Sequence, residues 1–173
     1  LDPRLLTEIG LLREHLRGIL IRMDAPREGE AIAGSAFRGW QLGELIETLD
    51  LGMNAILIGP TSTGKTLCVR EAVERLQHKR PIFILEGHES LREHDLLGGY
   101  IPVGPGDFRW CDGVVVQAMK AGGILFVDEA NRMTTRTLNV LLGIISRRAV
   151  VLAEHGSEEV KAQEGFLVIL AMN

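Results

Sequence analysis

Apolar and polar positions change their rhythm along the chain. Over residues 3–21, Leu5, Ile9, Leu12, Leu16 and Ile19 recur at steps of four, three, four and three. That spacing predicts an amphipathic helix, with Pro3 in a favoured starting position. Such a stripe ordinarily packs on its own domain; self-association or an interdomain contact is the alternative. From Asp24 to Arg38 the rhythm breaks at Pro26, Gly29 and Gly34, which predicts a linker, and a short helix is expected after it to about Leu51.

Further along, near-continuous apolar runs stand at 54–58 (NAILI), 81–85 (PIFIL), 124–127 (ILFV) and 166–171 (FLVILA). Strands buried on both faces of a parallel sheet read this way. Helical patterns separate them at 65–79, about 113–121 and 134–146, the last with Leu138, Leu141, Leu142 and Ile145 on one face. The alternation predicts an α/β fold with helices on both sides of a parallel sheet. Two insertions interrupt it. Residues 98–113 are rich in glycine, and at 148–163 the runs VVLAE and EVKAQ flank HGS, which predicts a β-hairpin.

Composition narrows the function classes. The chain has 173 residues, 46% hydrophobic and 24% charged, enough for one sizeable core. Its charge, 19 − 23 = −4, gives no electrostatic reason to expect nucleic acid as a partner. Two cysteines, Cys68 and Cys111, cannot make a disulfide framework and suit a reducing cytoplasm. No apolar run reaches the ~18 residues of a membrane span and no signal peptide is evident, so no membrane partner is expected. A first residue Leu1 and an apolar run at the other end suggest an excerpt of a longer protein.

Candidate chemistry begins at GPTSTGKT, residues 59–66, which fits the phosphate-loop pattern G-x-x-x-x-G-K-[ST]. A glycine-rich turn lets backbone N–H groups close around phosphate oxygens, and the helix after it presents its positive end. Gly59, Pro60, Thr61, Ser62, Thr63, Gly64, Lys65, Thr66 and Leu67 are therefore the expected nucleotide-binding residues. Lys65 can reach the β- and γ-phosphates, and the Thr66 hydroxyl can ligate Mg²⁺. The second signal is ILFVDEANR, residues 124–132, where a buried strand delivers Asp128 and Glu129 to its carboxyl end. Asp128 is expected to hold Mg²⁺, mostly through water, and Glu129 to orient and polarise the attacking water. The third is Asn173. In phosphate-loop folds with a strand added between the loop strand and the Asp-Glu strand, that strand's tip faces the γ-phosphate. FLVILA is the next apolar strand, and the Asn173 amide can hydrogen-bond both phosphate and lytic water.

Together these segments resemble Walker A, Walker B and sensor 1 of AAA+ ATPases. DLLGGY (95–100), the segment 108–132, LNVLLGIIS (138–146) and LAEHG (152–156) are similar to the MoxR, CbbQ-type and midasin/dynein-related branch. The resemblance covers about residues 39–173, so the expected organisation is an N-terminal helix and linker at 1–38 and a partial AAA+ core at 39–173. It implies a three-layer P-loop sandwich, with 98–113 as the branch's helix-2 insertion and 149–163 as its pre-sensor-1 hairpin. It also implies ATP and Mg²⁺ as cofactors, a ring that is often hexameric, and a protein client, frequently with a von Willebrand factor A partner. In that family the arginine finger, final core strand and helical lid lie downstream of the sensor-1 strand. Arg132, Arg136, Arg147 and Arg148 are candidates for contacts across a subunit boundary or plain solvated helix ends.

Rival readings are a restriction-type relative using GTP, a nucleotide-gated scaffold without useful turnover, and a small-molecule kinase. The Glu129 carboxylate counts against the scaffold, and the Asp-Glu pair with Asn173 fits hydrolysis better than kinase chemistry. His88 and His94 lack a nearby cysteine and an i, i+4 partner, so a solvated loop is expected there rather than a metal site. Tyr100, Phe108 and Trp110 either grip a client or pack the insertion. Because an arginine finger is worth about 10³- to 10⁵-fold in rate, residues 1–173 alone are expected to hydrolyse ATP slowly; turnover equal to that of the intact assembly would refute this.

Overall fold

Within each central strand, successive side chains are apportioned to opposite faces, and two separate cores result. A computed structural model of the chain describes residues 18–23, 36 and 39–173. Five strands form its main sheet: β1 (Gly18–Arg22), β2 (Asn54–Ile58), β3 (Ile82–Glu86), β6 (Ile124–Asp128) and β9 (Leu167–Met172). Their order is β1-β2-β9-β6-β3, and every pair is parallel. Ala55 and Leu57, Ile124 and Phe126, and Leu167, Ile169 and Ala171 enter one core, which α1 (Gln41–Asp50) and α2 (Lys65–Arg75) cover through Leu42, Leu45, Leu49, Val69 and Ala72. Ile56, Leu125, Val127, Val168 and Leu170 enter the other, beneath α3 (Glu93–Leu97), α4 (Val114–Ala121) and α5 (Thr135–Arg147). The period-2 geometry of a strand requires this division, and the three-layer α/β expectation holds.

At the start of the sheet the pattern misleads. A helix is expected through residue 21, yet Gly18–Arg22 is the edge strand beside β2. Ile21 and Met23 are fully buried there, and Gly18 lies so close to Asn54 that a Cβ would stand 2.7 Å from its carbonyl oxygen. Burial against β2 outweighs a helical spacing that one apolar residue in four can mimic. The sheet thus takes in residues 18–22, upstream of position 39, where the resemblance sets the start of the partial core. The rest of the expected helix, at 3–17, and all of the expected linker except Ala36 lie outside the described residues.

Helix α2 ends at Arg75 rather than at residue 79. Leu76 turns out of the helix at ψ 144° and is buried, so tertiary burial of one leucine stops the helix about a turn early. Elsewhere the expected strands and helices differ from the observed ones by one or two residues, and where a solvated loop is expected around His88 and His94 the helix α3 begins at Glu93, with His94 exposed on it.

Both insertions are antiparallel hairpins. One pairs β4 (Gly98–Gly104) with β5 (Asp107–Asp112), and the other pairs β7 (Ala149–Leu152) with β8 (Glu158–Lys161). They meet through an aromatic contact: Trp110 of β5 stacks on His155 with ring centroids 4.6 Å apart, and Tyr100 meets the Trp110 edge at 5.3 Å. The Trp110 indole N–H donates to Asp112 at 2.8 Å, and Lys120 of α4 bridges Asp112 and Glu158. Trp110 therefore packs the hairpins together, the second of its two expected roles, whereas Tyr100 and Phe108 remain exposed. Arg148 is also structural. It donates to the carbonyls of Phe166 at 3.1 Å and Gln163 at 3.3 Å, with its guanidinium over the Phe166 ring. Arg136 pairs with Glu93 at 3.2 Å.

Cys68 is buried in the α2 layer and Cys111 is exposed on β5. Burial, with Glu71 adding to it, pushes the Cys68 thiol up to about 12. The thiolate is the reactive form, so iodoacetamide at pH 8 is expected to label the Cys111 peptide and to reach Cys68 only after denaturation, as read by mass spectrometry.

Candidate functional site

Three neighbouring strands of the sheet end at one cleft. Parallel pairing sets β9 between β2 and β6 in register, Ile58 beside Met172 and Val127 beside Leu170, so the residues that follow each strand emerge on the same edge. This is the carboxyl edge at which open α/β sheets bind ligands. An amide deeper in the sheet reinforces the register: the Asn54 side chain accepts from the Val168 N–H at 2.8 Å.

After β2 the chain turns through the glycine-rich loop into α2. Gly59 cannot carry a side chain, because a Cβ would stand 2.4 Å from the Met23 carbonyl oxygen. Gly64 takes the left-handed conformation at φ 81°, as does Ser62 at φ 66°. These are turns that an ordinary L-residue resists. Thr63 ties the loop to itself by donating to the Pro60 carbonyl at 2.9 Å. The α2 ladder starts with the Cys68 N–H on Gly64, leaving the first-turn N–H groups directed at the cleft.

Lys65 stands at the centre. It is only 6% exposed, and its ammonium donates to Gly59 O at 2.7 Å, Pro60 O at 2.8 Å and Asn173 Oδ1 at 2.6 Å. Burial draws the Lys65 pKa below the ordinary lysine range, while Asp128 and Glu129 oppose that shift. Beside it the Thr66 hydroxyl donates to Asp128 Oδ2 at 2.7 Å. Asp128 Oδ1 in turn accepts from the Glu129 N–H at 3.0 Å.

Glu129 leaves β6 in the left-handed region at φ 50°, a rare conformation for a residue with a side chain. Its surroundings hold it there. Gly87 presses against its backbone, where a Cβ would come within 2.4 Å of Glu129 O, and the Arg132 N–H closes a short 3₁₀ turn onto Glu129 O at 2.8 Å. The carboxylate makes an ion pair with the Arg132 guanidinium. The tip of β9 is tied to the same turn, the Asn173 N–H lying 3.4 Å from Asn131 Oδ1.

Of the residues expected to form the site, Thr61, Ser62, Gly64, Lys65, Thr66, Asp128, Glu129 and Asn173 line one cleft of about 310 Å³. Gly59, Pro60 and Thr63 shape the loop behind it, and Leu67 points partly to solvent, 42% exposed. Size does not distinguish this cleft, since one of about 470 Å³ lies beside Arg92 and Arg136. Its convergent cation, hydroxyl, carboxylates and amide do. The Thr66 and Asp128 oxygens, side by side, suit a hard cation that keeps most of its shell in water and phosphate. Among the described residues, no cluster of three His, Cys, Asp or Glu side chains could hold a metal, so protein ligation would be sparse. The sequence reading misses the Arg132–Glu129 and Asn131–Asn173 ties. Only the i, i+3 spacing of the first was visible in DEANR.

Comparison with known proteins identifies the family. The family model for the AAA domain, dynein-related subfamily, matches residues 54–173. The chain is 31% identical over 122 residues to the denitrification regulatory protein NirQ of Stutzerimonas stutzeri, covering 70% of this chain and 43% of that one. Protein NorQ of Paracoccus denitrificans is 31% identical over 118 residues, 68% of this chain and 43% of NorQ. An uncharacterised protein of Staphylococcus aureus is 35% identical over 127 residues, 72% of this chain and 48% of that protein. The chain thus spans less than half the length of these relatives. A solved structure from Cytophaga hutchinsonii, described as that of a candidate ATPase, superposes with a TM-score of 0.61 at 17% identity, over 96% of this chain and 43% of its own; it supports the fold alone. With a family match across most of its length and a phosphate loop, Asp-Glu strand and asparagine tip in one cleft, the chain belongs to the dynein-related subfamily of AAA domains, a nucleotide-binding ATPase family.

Proposed function

We propose that this domain binds ATP with Mg²⁺ and hydrolyses it to drive conformational change in a ring of like subunits acting on a protein client. The observation that carries the reading is the meeting of Lys65, Thr66, Asp128, Glu129 and Asn173 in one cleft. Lys65 is the charge for the β- and γ-phosphates. Its present acceptors, two loop carbonyls and Asn173, hold the ammonium in place and are exchanged for phosphate oxygens when nucleotide arrives. The first-turn N–H groups of α2 bind the same phosphates. Thr66 and Asp128 are the residues to hold Mg²⁺, which when bound neutralises charge on the phosphate oxygens. Glu129 orients and polarises the attacking water, and Asn173 hydrogen-bonds the γ-phosphate and that water.

The client class rests on kinship. NirQ is by name a denitrification regulatory protein, and a domain that acts through another protein is consistent with such a role. A von Willebrand factor A-domain partner, a hexameric ring and a cytoplasmic setting belong to this reading. No helix among the described residues is long and apolar enough to cross a membrane. ATP is proposed over GTP, although the phosphate contacts do not read the base; competition between the two in a binding titration decides between them.

Two substitutions in the full-length protein separate binding from chemistry. Lys65→Ala is expected to weaken ATP binding by roughly 10- to 100-fold or more, the loss of charge-assisted bonds, measured by titration with a fluorescent analogue. Glu129→Gln is expected to bind ATP within about twofold of the native protein while turnover falls by about 10²- to 10⁴-fold. Native-rate hydrolysis by Glu129→Gln would remove Glu129 from the mechanism.

A further inference from the structure

We propose that Arg148 is a positioning residue for Asn173: its guanidinium clamps the turn at the root of β9 and so fixes how far that strand carries Asn173 into the cleft. The inference deepens the function proposed above and rests on its assignment of Asn173 to the γ-phosphate and the attacking water.

Arg148 stands where a helix ordinarily takes glycine. It caps α5 in the left-handed region, at φ 53° and ψ 27°, with its N–H on Ile144 O at 2.7 Å. Glycine is the usual residue at such a cap, because a Cβ is disfavoured there. What arginine adds is its fork. One guanidinium nitrogen donates to Phe166 O at 3.1 Å and the other to Gln163 O at 3.3 Å, while the planar group lies 5.8 Å from the centroid of the Phe166 ring. Lysine, a point charge, cannot reproduce that arrangement. The main chain joins in, the Ala162 N–H donating to Arg148 O at 2.8 Å. A single residue therefore holds Ala162, Gln163 and Phe166, the approach to β9, which begins at Leu167.

Around that clamp the turn has little room to shift. Arg80 donates to Gly165 O at 3.3 Å, and the Gln163 N–H donates to Met119 O at 2.9 Å. Gly122 approaches so closely that a Cβ there would stand 2.3 Å from Glu164 O, and Phe166 is buried. From this root the strand runs six residues, Leu167–Met172, to Asn173. Ladder bonds to β2 and β6 run mainly across the strand, so they resist lateral movement more than a small displacement along its axis. At the far end the Asn173 amide is held by Lys65 at 2.6 Å, a partner that phosphate takes over in the proposed function. The root is thus the end of β9 whose anchors stay the same when nucleotide arrives. A displacement of about 1 Å at a reacting centre can cost about 10²-fold in rate, so a fraction of that at the Asn173 tip is enough to be read in kcat.

The test uses the full-length protein. Turnover that Asn173→Ala lowers first establishes the reading on which the inference rests; without it both are overturned. Given such turnover, Arg148→Gly is expected to lower kcat by about threefold to tenfold, with affinity for a non-hydrolysable ATP analogue within about twofold of the native protein. In the Asn173→Ala background the same substitution should change kcat by less than about 1.5-fold, because the group it positions is gone. Loss of a merely structural contact would lower the rate in both backgrounds. Arg148→Lys keeps the charge without the fork and should lose kcat as Arg148→Gly does. Glycine relieves the left-handed cap, so the Tm of Arg148→Gly is expected to exceed that of Arg148→Lys by about 2–4 °C, and rate does not follow stability. Millimolar methylguanidinium should raise the rate of Arg148→Gly by about twofold or more and leave Arg148→Lys unchanged. Native kcat in either variant, an equal loss in the Asn173→Ala background, or no response of Arg148→Gly to methylguanidinium would each overturn the assignment.

Discussion

Parallel pairing of β9 between β2 and β6 is the constraint on which the site depends. Lys65 and Asn173 are 108 positions apart in the chain, yet their side chains lie 2.6 Å apart. Only strand register can hold that distance. A parallel strand slipped by one residue would turn its whole apolar set to the opposite face, exchanging Val168, Leu170 and Met172 for Leu167, Ile169 and Ala171 in the two cores. The packing that stabilises the sheet therefore also fixes where the polar tips emerge, and the site inherits the precision of the core.

At those tips the chain gives up local comfort. Ser62 and Glu129 both occupy the left-handed region, and Lys65 is nearly buried. Each costs stability in isolation. The loop carbonyls and Asn173 offset the burial of the ammonium, while Gly87 and the 3₁₀ turn hold Glu129 in place. Such concentration of strain and buried charge at one edge of a well-packed sheet fits the phosphate and water site proposed for it.

The two hairpins lie on one side of the sheet, against the core that α3, α4 and α5 cover. There the two hairpins are joined by the Trp110–His155 stack and by Lys120 reaching both Asp112 and Glu158. The first hairpin packs through β4 on α3 and reaches α4 through the Lys120–Asp112 pair, while the second packs through β8 on α4; α4 is followed by β6 and the Asp-Glu pair. A displacement at the cleft thus has a packed route to the hairpins and to the exposed Tyr100 and Phe108. The route is a physical connection; its use depends on a second stable arrangement of these elements.

Much of this protein was legible in its sequence because the signals are local. Four strands are near-continuous apolar runs, of which β2, β6 and β9 are buried while the edge strand β3 leaves Ile84 exposed; the phosphate loop is a contiguous eight-residue pattern, and Asp128 and Glu129 stand at the end of a strand. Those features follow from backbone geometry and solvation acting over a few residues. Gly18–Arg22 was not legible, because a short apolar stretch reads as helix or strand alike and only the free edge of β2 decides between them. The same holds for Trp110, whose choice between packing and exposure was made by His155 across the chain, and for Arg132, whose carboxylate partner is fixed by a turn with one left-handed residue. The sequence by itself determined which groups could bind phosphate, metal and water. Tertiary structure decided that they meet, because hydrogen-bonded register transmits position across the sheet while periodicity within a segment carries none of it.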